Sequence, residues 1–194
     1  MMRASFLAYQ RVSQLVMGFF LLLALPCFAS SFITIHTPKG TEITGYLFVE
    51  LSQAEIEERD REFEEMVRLN GWGAQKIKSS SVRYNGHGYA WHMSRGGDAV
   101  VIDDGDVPWY WWDGSYIEIE ESDAVEGDII FMTDPDDPGS FHSGVVAGDL
   151  GWCRSKWDDG PVFLHKFDEH PFGKTFRFYR RVKPAAPQNL RIVQ

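Results

Sequence analysis

Between residues 32 and 50 apolar positions are set among polar ones. Ile33 and Ile35 come first, then Ile43, Tyr46, Phe48 and Val49, on either side of Pro38-Lys39-Gly40. That is the pattern of extended chain folded back at a turn. The period then changes. Ser52, with Glu55 three residues on, makes a capping box. Ile56, Phe63, Met66 and Val67 fall on one face of a helix, and Glu57, Glu58, Arg59, Asp60 and Arg61 line its wet side. The helix should stop near Asn70-Gly71. A second, short helix is expected over about 87–94, with Asn85 as its cap and Gly96-Gly97 as its end. The aromatic run Trp109-Tyr110-Trp111-Trp112 closes on the turn Asp113-Gly114. Short strands follow at 115–119, 128–132, 143–148, 152–157, 161–165 and 175–181, with turns at 126–128 and 149–151 and an exposed loop at 134–139. One long helix, one short helix and a run of short strands predict an α+β domain over residues 30–183, with a loose tail over 184–194.

The N-terminus follows a different pattern. Residues 1–14 carry Arg3 and Arg11 and no acid. Leu15 to Leu25 is almost unbroken in apolar residues, and Pro26 and Ala29 supply the end of the run and a small residue for cleavage. This is the order of a secretory signal peptide, residues 1–29. A membrane anchor is the competing reading, but spanning takes about 20 apolar residues and this run is shorter. Removing 1–29 takes the net charge from −9 to −11. So acidic a chain is a poor match for nucleic acid or anionic lipid, and the expected location is the periplasm or the outside of a bacterial cell. Only Cys153 remains after cleavage. An internal disulfide is excluded, and packing must hold the core.

Candidate chemistry gathers in two places. One is the helix start within Tyr84 to Trp91; the other is Gly127 to Phe131 followed by His142-Ser143-Gly144-Val145-Val146. The first turn of a helix favours an ionised nucleophile, and a histidine at the head of a strand can act as its base. If strand 142–148 turns through 149–151 so that Gly148 faces Trp152, His142 faces Asp158, which makes Asp158 the candidate orienter; a slip in the turn would substitute Trp157 or Lys156. Tyr84, His87, Trp109, Trp111 and Ser155 are candidates for substrate contact, although core packing is the competing reading for the tryptophans and for His87. His165 and His170, near Asp168 and Glu169, are the residues to check for a metal. No ligand pair has helical spacing, and neither metal nor other cofactor is expected.

These motifs, in this order, resemble the NlpC and CHAP cell-wall cysteine peptidases and amidases. More closely they resemble a group of uncharacterised secreted bacterial proteins with a YNCHGYAWH-like motif, matched here by Thr37 to Thr41, Tyr84 to His92, Asp113 to Tyr116, His142 to Val146 and Ser155 to His165. The resemblance implies a papain-like fold, with short helices on a central antiparallel sheet, and amidase chemistry on peptidoglycan peptides. In that chemistry a cysteine at position 86 is the nucleophile, His142 the base and Asp158 the third residue. This chain has Gly86 at the nucleophile position, so no acyl-enzyme can form there. Three readings follow: a natural pseudoenzyme, an altered residue, or another nucleophile, for which Cys153 is the candidate beside its reading as a packed thiol. The alternative to a disabled hydrolase is a binding module for a peptidoglycan peptide or an envelope protein.

Overall fold

The structure is a computed structural model that describes residues 31–148 and 151–183. The expected signal peptide and the tail beyond Lys183 lie outside the described residues, as does most of the turn at 149–151. The chain forms two antiparallel sheets. The smaller has the order β1-β2-β4, from Ser31–His36, Glu42–Leu47 and Val101–Ile102. The larger is built from β3 (Gln75–Lys78), β5 (Tyr116–Ile119), β6 (Ile129–Asp134), β7 (Asp137–Val146), β8 (Trp152–Lys156), β9 (Val162–Lys166) and β10 (Thr175–Arg181), in the order β3-β9-β8-β7-β6-β10-β5. Every pairing among the described strands is antiparallel. With one long helix and a few short helical turns, the domain is α+β.

Helix α1 (Gln53–Asn70) starts and stops as its sequence requires. Ser52 and Glu55 form the reciprocal capping box, and Gly71 ends the helix at φ 67°. Its inward side carries a polar residue as well as the apolar stripe. Asp60 is buried and accepts hydrogen bonds from the backbone N–H and hydroxyl of Ser80, both 2.7 Å, and from Lys76 Nζ at 2.9 Å. Phe63 lies against Gly160, where a side chain on the glycine would collide with the ring, and Arg59 pairs with Asp159 at 2.6 Å. The helix therefore braces the loop that follows β8.

The two faces of the large sheet are packed differently. One carries Ile129, Phe131, Val145 and Tyr179 against an aromatic cluster of Trp91, Tyr110, Trp111 and Tyr116. The other carries Ile130, Met132, Val146, Cys153 and Phe178 under Phe167. Strands β3 and β4 and the short helix α2 (Trp109–Trp112) are additional to the elements read from the sequence. The segment 134–139 is a tight reversal with Asp134 opposite Asp137, because β6 and β7 run into it from both sides; it is not an open six-residue loop. Among the described residues no helix is long and apolar enough to cross a membrane.

Candidate functional site

The segment 85–95 is short and irregular, and glycine makes its position possible. Asn85 caps it through Gly88 N–H at 2.9 Å and holds both backbone groups of Ile102. Gly88 lies so close to the carbonyl of Val100 that a Cβ there would overlap it. Residues Gly88–His92 form a π turn and Met93–Arg95 a 3-10 turn, which ends at Gly96 with φ 90°. The stretch read as one short α-helix is thus two tighter and wider turns wedged against β4. Gly86 opens it and is buried.

Strands β7 and β8 pair from Val146–Cys153 to Gly144–Ser155. Beyond that point the pairing ends, and Gly86 sits where the strands part. A Cβ on Gly86 would stand 2.6 Å from His142 Cε1, 2.9 Å from His142 Nδ1 and 3.2 Å from the carbonyl of Lys156. Residues 86 and 142, far apart in sequence, are therefore neighbours. The hairpin register differs by one residue from the sequence-based count. Gly148 has already turned left-handed, at φ 60°, and Ala147 N–H bonds the carbonyl of Trp152, so continuing the register puts Trp157 across from His142. Asp158 is exposed, with φ 47°, and no hydrogen bond joins it to His142; its carbonyl receives the Lys156 ammonium at 2.7 Å.

His142 is 4% exposed and stacked on Phe172, with ring centroids 3.5 Å apart and planes 8° apart. Gly173 allows this, since the backbone there presses directly on Thr133 and leaves no room for a side chain. His142 Nε2 is buried without a hydrogen-bond partner. Burial holds the imidazole neutral well below its ordinary range, and the neighbouring His87, His170, His165 and Lys156 act in the same direction.

On the opposite face of β7 lies a chain of hydrogen bonds absent from the sequence reading. Asp104 Oδ1 accepts from His87 Nε2 at 3.0 Å, which leaves His87 Nδ1 to accept from the Ser143 hydroxyl at 2.8 Å. Ser143 Oγ in turn accepts the Trp91 indole N–H at 2.8 Å. The residue types are those of a serine-hydrolase triad. The environment differs: Ser143 is wholly buried in a central strand, and its oxygen is engaged by the indole. The chain fixes the 85–95 segment on the sheet. Ser143→Ala should cost about 1–3 kcal/mol, because it strands the Trp91 N–H and one His87 nitrogen in the core. Urea unfolding measures this, and the parent protein, with Ser143 in place, should show no adduct at residue 143 when treated with a fluorophosphonate.

The other candidate residues are dispersed. Tyr84 is buried beneath the Lys156 ammonium, 5.3 Å from its ring centroid, and its phenol is pushed up to about 12 by burial, then by Tyr89 and Glu50. Trp111 belongs to the core, 4.9 Å from Tyr179. Ser155 is buried. It donates at 2.7 Å to Nε2 of His165, whose Nδ1–H goes to the carbonyl of Lys166, and it accepts from Trp157 Nε1 at 3.0 Å. Only Trp109, of the five residues suggested for substrate contact, faces solvent, edge-to-face with the exposed Trp112. Cys153 lies 3.5 Å from His165 Nε2, buried, and burial pushes its thiol far up. His165 and His170 meet edge to face at 5.4 Å, and among the described residues no three His, Cys, Asp or Glu side chains are grouped to hold a metal ion. Comparison with protein-family models, with curated proteins and with solved structures gives no match.

Proposed function

We propose that the chain is a secreted, papain-like domain of the NlpC and CHAP type that has given up hydrolysis and works by holding a peptidoglycan peptide. The observation that carries this reading is the contact of Gly86 with His142. A residue opening a helical turn faces a histidine at the head of the buried part of a strand, which is where a thiolate and its base would meet. The facing position has no side chain, and the imidazole fills the space. Phe172 on the ring and the absent bond from Asp158 fit a base with no proton to move. The exposed pair Trp109 and Trp112 offers flat faces for a sugar or peptide.

The test uses the mature protein, Gly86→Cys and Gly86→Cys with His142→Ala. Mass spectrometry of digested sacculi should find no fragments released by the mature protein, and co-sedimentation should show saturable binding of it to the same sacculi. In Gly86→Cys the new thiol should alkylate faster than Cys153, and loss of His142 should slow it. Fragment release by the mature protein would end the non-hydrolytic reading. Alkylation of Gly86→Cys no faster than that of Cys153 would remove the nucleophile position, and failure to bind sacculi would leave a protein partner as the ligand.

A further inference from the structure

A cleft of about 660 Å³ lies at one end of the large sheet, and cations dominate its walls in a chain that is otherwise strongly acidic. Arg95, Arg180, Arg181 and Lys183 line it, against Glu126 and Asp128. The two acids are already engaged. Asp128 is clamped by Arg180 through Nε at 3.1 Å and Nη2 at 2.6 Å and also takes the Val125 N–H, while Glu126 pairs with Arg154 at 3.4 Å. Arg180 is therefore neutralised and fixed as a wall.

Three cations remain without an acidic partner among the described residues. Arg95 spends one N–H on the neutral carbonyl of Gly127, at 2.8 Å, and lies over the ring of Tyr116. Arg181 pairs in the strand register with Tyr116, and its Nε is buried without a hydrogen-bond partner. The Tyr116 hydroxyl, buried beside these two arginines, interacts with both of them. Lys183 completes the rim. A buried, unsatisfied guanidinium N–H such as Arg181 Nε costs free energy that a partner would recover, and the planar fork of arginine matches two-oxygen anions.

From this arrangement we infer that the cleft binds a multivalent oxyanion, a ligand bearing two or more carboxylate or phosphate groups, through Arg95, Arg181 and Lys183. This site is separate from the residues around Gly86 and does not depend on the function proposed for them. Arg95 and Lys183 are exposed and Arg181 half-buried, so binding through the three should weaken as salt is raised.

The test is isothermal titration calorimetry with citrate and with pyrophosphate at about 20 mM salt, where screening is small. The probes are titrated into the mature protein, into Arg181→Gln with Lys183→Gln, into Lys183→Gln alone, and into Lys166→Gln as a charge-matched change elsewhere on the surface. Saturable binding is expected, at least tenfold weaker in the double variant, weakened in Lys183→Gln and unchanged in Lys166→Gln. Binding of citrate alone identifies a carboxylate ligand, of pyrophosphate alone a phosphate ligand, and of both a general oxyanion site. No binding of either probe overturns the inference. So does binding that the changes at 181 and 183 weaken no more than Lys166→Gln does.

Discussion

Acidification from pH 7.5 to 5 should remove several kcal/mol of stability, well before most carboxylates titrate. Three histidines are folded into the core in the neutral state. Burial is the first cause in each. It pushes His165 down to about 4 and His170 to about 3, with His165 adding to the effect on His170, and it holds His142 well below its ordinary range. Hydrogen bonding explains why they stay neutral: His165 Nε2 is an acceptor for Ser155, and His170 Nδ1 accepts Phe172 N–H at 3.0 Å. In the unfolded chain all three titrate near 6.5. Around and below that value the unfolded state binds more protons than the folded one, so stability falls as the pH drops through 6.5 toward the folded values, and little of this loss is present above about 7.5. At pH 5 His165 and His170 each account for about 2 kcal/mol, ~4 together, and His142 adds to the loss in the same direction. That is a large part of the stability of an ordinary domain. Urea unfolding at pH 7.5, 6 and 5 measures it. His170→Phe should remove about 2 kcal/mol of the loss seen at pH 5. A stability that stays flat across this window would mean that the histidines are solvated or charged in the fold.

Local signals were the readable part of this chain. Ser52, Glu55 and Gly71 fix α1 by interactions within a few residues, and Asn85 caps its turn across three. The strands from β5 to β10 were visible because each alternates or runs apolar over several positions. What escaped depends on contacts between distant segments. β4 has two residues and exists because Asn85 and β2 bind it. β3 is entirely exposed, with Lys76 and Lys78 among its four residues, so no periodicity marks it. The hairpin slipped by one because a single left-handed glycine decides how many residues the turn consumes, and four glycines lie within 144–160.

The candidate site divides the same way. That positions 86 and 142 meet was anticipated from the order of two motifs, and their separation in space is set by the sheet. Asp104 was invisible as a partner of His87, since the loop at 103–107 has only acidic and small residues to mark it. Phe172 was invisible too, because an aromatic in a loop between strands shows no pattern until Gly173 brings it onto His142. Those two residues change the meaning of the site. One gives His87 a structural partner, and the other covers the imidazole that a hydrolase would leave open.

Gly86→Ala should destabilise the domain by about 1–3 kcal/mol, the usual cost of forcing a methyl into a filled core. The argument rests on what the methyl would meet. His142 Cε1 and Nδ1 stand 2.6 and 2.9 Å from its position, and the Lys156 carbonyl stands 3.2 Å away. The carbonyl is backbone and cannot retreat. The imidazole can turn only by leaving its stack with Phe172. In a background of His142→Ala only the tight contact with the Lys156 carbonyl remains, and adding the methyl at 86 should then cost much less. The double-mutant cycle is therefore expected to show a favourable coupling of about 1–3 kcal/mol between the two changes. The sign carries the functional point. In a site that had merely lost its thiol, the base would still stand back by the length of a sulfur bond, and a methyl would fit without strain. Here the imidazole occupies the space that a side chain at 86 would take, so residue 86 and residue 142 are packed as a pair. Should Gly86→Ala prove as stable as the parent chain, the imidazole must swing freely, and the close packing of residues 86 and 142 would be no constraint on the fold.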